Sequence, residues 1–170
     1  MLIQTIALSW AFALALCHPL THRSAPPTVT DPASRITFHG RLSNDVESFL
    51  NIRFGDDTSG ANRFAHPKPF AYTPGTNVDA SSPGAACPQQ REPVKGFPVF
   101  SNVTNVSEDC LTLRIDRPAN TTSADKLPVM VWIYGGGDSI GQIYDQAYDP
   151  TGLVLSSAAQ DTPVIYVAMK

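Results

Sequence analysis

Residues 128–141 read Pro-Val-Met-Val-Trp-Ile-Tyr-Gly-Gly-Gly-Asp-Ser-Ile-Gly. An apolar run, Val129–Tyr134, gives way without transition to three glycines. The run suits a central strand buried on both faces. Three consecutive residues without Cβ let other groups approach the backbone closely. An enzyme uses bare peptide N–H groups of this kind to meet a developing oxyanion.

On the C-terminal side a loop covers 138–148. Asp149-Pro150 then supplies an N-cap followed by proline at the first helical position. Leu153, Val154, Leu155, Ala158 and Ala159 form the apolar side of a short helix, which Gly152 weakens. Residues 163–169 (PVIYVAM) read as a second buried strand. Strand, helix, strand is a βαβ unit, so the two strands are expected to be parallel neighbours. On the N-terminal side Leu111, Leu113 and Ile115 alternate with Thr112, Arg114 and Asp116. That period of two predicts a half-buried strand. Earlier, 36–41 and 46–52 are strand-like, and Ser43-Asn44-Asp45 between them predicts a hairpin. Residues 55–90 are rich in Gly, Pro, Ser and Asn and predict an irregular surface loop. Residues 18–34 are polar and Pro-rich and predict a mobile tail.

The composition bounds the function classes. With 12 Lys+Arg against 15 Asp+Glu the formal charge is −3, and no basic stripe stands out, which argues against a nucleic-acid partner. Fifteen prolines and 16% charged residues suit a loop-rich extracellular chain. The N-terminus agrees: the apolar segment 3–16 is short for a bilayer span and fits the core of a signal peptide over 1–17, although its n-region carries no Lys or Arg. No other stretch approaches membrane-spanning length. Secretion makes the sequons at Asn102, Asn105 and Asn120 glycan acceptors. It also makes Cys87 and Cys110, the cysteines left once Cys17 goes with the leader, either a bridge or two buried thiols. Their spacing does not suit zinc, and no His pair lies nearby, so no metal is expected. The glycine triplet lacks the Lys-Ser/Thr of a phosphate loop, and no cofactor is expected.

Several segments, in order, resemble type B carboxylesterases, the α/β-hydrolases related to cholinesterases and fungal lipases. Ser107-Glu-Asp-Cys-Leu-Thr-Leu113 resembles the family's S-E-D-C-L-x-L signature. Phe49-Leu-Asn-Ile52 resembles its early F-L-G-I, Asn62-Arg-Phe64 with Pro67 and Pro69 its R-F-x-x-P-x-P, Cys87-Pro-Gln89 its C-P-Q, and Val131–Gly137 its glycine-triplet strand. The resemblance covers about 36–169. It implies the N-terminal part of an α/β-hydrolase fold, class α/β, with a small hairpin, a mixed sheet and the first βαβ unit, in an incomplete domain over 35–170. It further implies a Cys87–Cys110 disulfide and a buried Arg63–Glu108 ion pair holding the long loop against the sheet. Gly136 and Gly137 become oxyanion donors for a small-molecule or lipid ester, with a serine acyl-enzyme formed in the full-length protein.

Gly137-Asp-Ser139-Ile-Gly141 matches the G-x-S-x-G nucleophile elbow, yet Ser139 is a poor nucleophile candidate. The hydrolase order is Ser, acid, His, whereas His18, His22, His39 and His66 all precede Ser139. In the family the elbow, acid and histidine follow the strand that ends at Met169. The expectation is therefore a chain that carries the oxyanion glycines, stops before the triad and does not hydrolyse esters on its own. It also leaves strand 164–169 without partners. Asp138 stands where relatives often have Phe. The 87–110 loop holds Phe97 and Phe100 but no Trp, which disfavours a choline ester as substrate. The competing reading is a non-catalytic, cholinesterase-like binding glycoprotein.

Overall fold

The computed structural model describes residues 25–90, 103, 105–137 and 139–170. The signal segment 1–17, the start of the 18–34 tail, His18, His22, Phe97, Phe100, Asn102 and Asp138 lie outside the described residues.

The main sheet has five strands in the order β3-β4-β6-β8-β7. Strands β3 (Arg41–Ser43) and β4 (Val46–Arg53) form the antiparallel hairpin, joined by Asn44 and Asp45 at φ 48° and 56°. Two left-handed residues in a two-residue turn match the twist of the flanking strands, and Asn and Asp tolerate that conformation best after glycine. The first arm shares only Arg41 with the expected strand 36–41, and Ser43, expected in the turn, belongs to it. Residues 37–39 leave for the smaller sheet because Gly40 is pressed against β4, where a Cβ would sit 2.5 Å from the Ser48 carbonyl.

β4 pairs antiparallel with β6 (Thr112–Pro118) through a bulge. Phe49 faces Ile115 and Ile52 faces Leu113, so Leu50 and Asn51 together oppose Arg114. Asn51 takes a φ of 56° to make room. The displaced N–H groups find other acceptors: Leu50 donates to Ala80 O at 2.7 Å and Asn51 to Tyr144 Oη at 2.9 Å. Buried backbone donors are almost always satisfied, and the bulge re-aims these two toward other parts of the molecule.

Residues 129–133 form β7 (Val129–Ile133), residues 151–159 form α1 (Thr151–Ala159), and residues 165–169 form β8 (Ile165–Met169). β7 and β8 are parallel, with Val131 opposite Val167, as the βαβ reading predicts. Asp149 caps α1 by accepting from the Thr151 N–H at 3.2 Å, and Pro150 takes helical angles.

Two expectations need correction. First, β8 is not left unpartnered: it lies between β6, antiparallel, and β7, parallel. Second, β7 is not a buried central strand. It is the sheet's last strand among the described residues, and its side chains are 41–71% exposed. On α1 only Val154 is buried, while Leu153 and Leu155 face outward. The polar set of β6 is the more deeply buried one. Thr112, Arg114 and Asp116 are 4%, 6% and 1% exposed, whereas Leu113 and Ile115 are half-buried. The polar face of β6 turns toward Ile143, Tyr144 and Ser48, where Asp116 neutralises Arg114 within the same strand. The core beside it comprises Val46, Ile143, Val154, Tyr166 and Ala168.

A second sheet of three short strands joins β1 (Thr28–Thr30), β2 (Thr37–His39) and β5 (Asn77–Asp79). β1 falls in the stretch expected to be mobile, and β5 in the stretch expected to be irregular. The pairing explains both: β1 folds back antiparallel on β2, and β5 joins β2 from far along the chain in parallel register. Among the described residues no helix is long and apolar enough to cross a membrane.

Candidate active site: the glycine loop

β7 ends its pairing at Ile133 opposite Met169, so the glycines leave the ladder. Gly136 and Gly137 both have positive φ, 150° and 60°. At Gly136 the requirement is also steric. A Cβ there would lie 1.8 Å from the Ile140 carbonyl oxygen, a distance no side chain tolerates. The loop closes on itself, because the Gly136 carbonyl accepts from the N–H groups of Ser139 (3.2 Å) and Ile140 (3.3 Å). At Gly137 nothing lies within 4 Å of a would-be Cβ. Among the described residues neither the Gly136 nor the Gly137 N–H donates a hydrogen bond. Both line a cavity of about 470 Å³ with Cys87, Gln89, Met169 and Lys170. A larger hollow of about 820 Å³, between α1 and the start of β7, contains none of these residues.

The far wall of the smaller cavity is fixed covalently. Cys87 and Cys110 form a disulfide, with Cα atoms 5.1 Å apart. Two residues after Cys87, the Gln89 side chain reaches the glycine loop. Its Nε2 donates to Gly141 O at 2.8 Å and to Cys87 O at 3.2 Å, and its Oε1 accepts from the Gly141 N–H at 2.8 Å. Lys170 Nζ donates to the carbonyls of Gly84 and Ala85 and lies 4.8 Å from the centre of the Tyr144 ring. Burial pushes the Lys170 ammonium down to about 8, because desolvation disfavours the charged form. Its hydrogen bonds point to the 84–85 backbone, not to the glycine amides.

Ser139 sits on this loop with its hydroxyl donating to Gly137 O at 3.0 Å. Neither described histidine is bonded to it. His39 lies between Thr28 and Asn77 in the small sheet, and His66 is exposed. Arg63 Nη2 and Glu108 Oε2 meet at 2.7 Å, but the pair is half-exposed, with 55% and 29% of the side chains accessible. It joins two surface loops, so the expectation of a buried pair is corrected here. Beside it Arg53 grips Asp109 through two nitrogens, at 3.0 and 2.6 Å, and lies over the Phe70 ring. Asn105 and Asn120 are exposed, as glycan attachment requires.

The buried pairs are ones that sequence reasoning missed. Arg114 binds Asp116 through Nε (2.7 Å) and Nη2 (2.9 Å) while Nη1 donates to Ile143 O, and Ser48 Oγ donates to the same carboxylate at 2.7 Å. Arg117 meets Glu47 at 2.7 Å, with the carboxylate side chain only 1% exposed. The signal was present: Arg-x-Asp at i and i+2 puts opposite charges on one face of a strand. Gln89 was quoted only as part of C-P-Q, without a role.

These segments and their geometry match a known family. The Carboxylesterase family profile fits residues 36–170. The chain belongs to the carboxylesterase family. It is 51% identical over 147 residues to a Byssochlamys spectabilis protein named inactive carboxylesterase-like protein VdtD, covering 86% of this chain and 25% of that one. It is 42% identical to a secreted lipase of Arthroderma benhamiae, again over 86% and 25%. Among solved structures it resembles Aspergillus niger EstA, with a TM-score of 0.64 and 26% identity over 86% of this chain and 26% of that one. The chain thus spans about a quarter of the length of these carboxylesterase relatives, and its mixed sheet is part of an α/β-hydrolase fold.

Proposed function

We propose that this carboxylesterase-family chain is the oxyanion-stabilising N-terminal part of a secreted carboxylic-ester hydrolase, acting on small-molecule or lipid esters through a serine acyl-enzyme. The observation that carries the reading is the pair of amides at Gly136 and Gly137, beyond the ladder, without an acceptor among the described residues and in a loop that lines a cavity. Acyl transfer passes through a tetrahedral oxyanion, and removing one preorganised donor costs about 3–4 kcal/mol of barrier. The nucleophile, acid and base belong to the remainder of the hydrolase. Among the described residues Ser139 has no basic partner, and its hydroxyl hydrogen-bonds to the Gly137 carbonyl. Resemblance to a secreted lipase supports export, and export makes Asn102, Asn105 and Asn120 sites for N-glycans.

Assaying p-nitrophenyl butyrate hydrolysis tests both halves of this reading. The 170-residue chain should show no turnover above buffer, and the complete product of its locus should show turnover. Activity of the short chain that disappears in Ser139→Ala would overturn the assignment of the triad elsewhere.

A second reading is favoured by one finding, the 51% identity to a protein named inactive. Here the whole protein keeps the fold as a non-catalytic binding glycoprotein. Sequence past Lys170 separates the two, since a G-E-S-x-G elbow, an acid and a histidine belong to the hydrolase alone.

A further inference from the structure

We infer that Gln89 is a positioning residue that sets where the two glycine amides point, and that the disulfide anchors it. The inference rests on the oxyanion reading of Gly136 and Gly137. A carboxamide offers one donor and one acceptor side by side, and Gln89 presents both to the backbone of one residue, Gly141. It thereby mimics a strand partner for a loop that has just left its ladder. The same Nε2 also reaches Cys87 O, so the clamp is tied back to the half-cystine two residues away.

Gly141 passes the constraint on. It is buried, with φ 124°, and its backbone packs under Tyr134 and against Gly135. A Cβ at Gly141 would come within 2.4 Å of the Tyr134 ring and 2.9 Å of Gly135 O. Gly141 thus packs directly against Tyr134 and Gly135, the start of the glycine triplet. At the other end of the turn, the Gly136 carbonyl is bonded to Ser139 and Ile140. Two contacts thus bracket Gly136 and Gly137. Neither contact uses their own N–H groups, which have no acceptor among the described residues. Preorganised donors stabilise a transition state because they need no reorientation as charge develops. A loop released from Gln89 would lose that property while keeping its sequence.

Hydrogen exchange in the 170-residue chain reads the clamp directly. Gln89→Ala should speed amide exchange in peptides covering 134–142 by about tenfold, with peptides from β4 and β6 unchanged. Gln89→Glu, whose carboxylate cannot donate and would face the Gly141 and Cys87 carbonyls, should speed exchange over 134–142 at least as much as alanine. Equal exchange in wild type and Gln89→Ala overturns the inference. Should the alanine variant lose the whole sheet, the glutamate variant decides by the same local comparison.

In the complete hydrolase Gln89→Ala should lower kcat by about 10–100-fold with KM unchanged, the signature of a contact made good only in the transition state. Gln89→Glu should not restore it, because a carboxylate cannot donate to the two carbonyls and sets a negative charge beside the developing oxyanion. Faster exchange with unchanged kcat would overturn the positioning role. Absence of turnover in the wild-type complete protein would instead refute the hydrolase reading and leave the exchange result to judge the clamp.

Discussion

The edge strand β7 and the inner strands β4 and β6 of the main sheet differ in a direction opposite to their composition. β7, Val-Met-Val-Trp-Ile, is uniformly apolar, yet every residue is exposed. Residues 46–50 at the start of β4 include a glutamate and a serine, and all five are buried, Glu47 at 0% and Ser48 at 6% exposure. β6 goes further, placing Arg114 and Asp116 deeper than its leucine and isoleucine. Burial in a sheet follows from what covers each face as well as from how many strands flank it. β4 has strands on both sides and the small sheet across its bulge. β7 has one neighbouring strand among the described residues. The charges at the centre are tolerable because each is paired and hydrogen-bonded, which is the condition for keeping an ion out of water.

The sharpest way to break this contrast is to unpair the centre. Asp116→Ala leaves the Arg114 guanidinium buried without its carboxylate and should cost about 3–5 kcal/mol in urea unfolding. Replacing both residues with methionine and leucine should recover most of that loss, because a buried pair exchanged for packed apolar groups is often neutral. If the single and double changes cost the same, the pair is not what holds the centre. Next in size is the covalent tie: Cys87→Ser with Cys110→Ser should lower stability by about 3 kcal/mol on the loop-entropy account. At the surface Arg63→Ala should cost no more than about 1 kcal/mol, and added salt should shrink even that.

On the exposed flank Ile133→Lys should change stability by less than about 0.5 kcal/mol. The same change should reduce self-association in sedimentation velocity, because a charge on an apolar edge strand blocks edge-to-edge pairing. A large destabilisation there would mean that β7 is part of the packed core after all. Smallest is an acid effect in the loop between β6 and β7. The backbone N–H of Thr122, and then its hydroxyl, hold the Asp125 carboxyl below its ordinary 3.8. A depressed carboxyl stabilises the fold above its unfolded value, and that contribution fades as pH falls through the lower folded one. Asp125→Asn should flatten this last part of an acid-unfolding curve slightly.

Much of the scaffold was legible from residues a few positions apart. The period of two in 111–116 located β6, Asn44-Asp45 located the hairpin turn, and Asp149-Pro150 located the start of α1. Cysteine number left a bridge or two buried thiols, and the family resemblance implied the bridge that forms. What escaped were features set by distant partners. A three-residue strand such as β5 is too short for any period, and it exists only because β2 lies beside it. The inward face of β6 was not legible, because alternation shows that two faces differ, not which one is covered. For the site, the glycine triplet declared its own flexibility. Gln89 did not declare its clamp, because a side-chain amide reaching across 52 positions to a backbone leaves no local pattern.

The order β3-β4-β6-β8-β7 has a consequence for the newborn polypeptide. A ribosome releases β7 before β8, yet β8 occupies the slot between β7 and the rest of the sheet. The hairpin and β6 can zip together as soon as residue 118 emerges. The segment bearing the glycines has no berth until residues 165–169 arrive. Vectorial synthesis thus leaves an apolar ribbon waiting at the tunnel mouth, the moment at which such a chain most needs a chaperone.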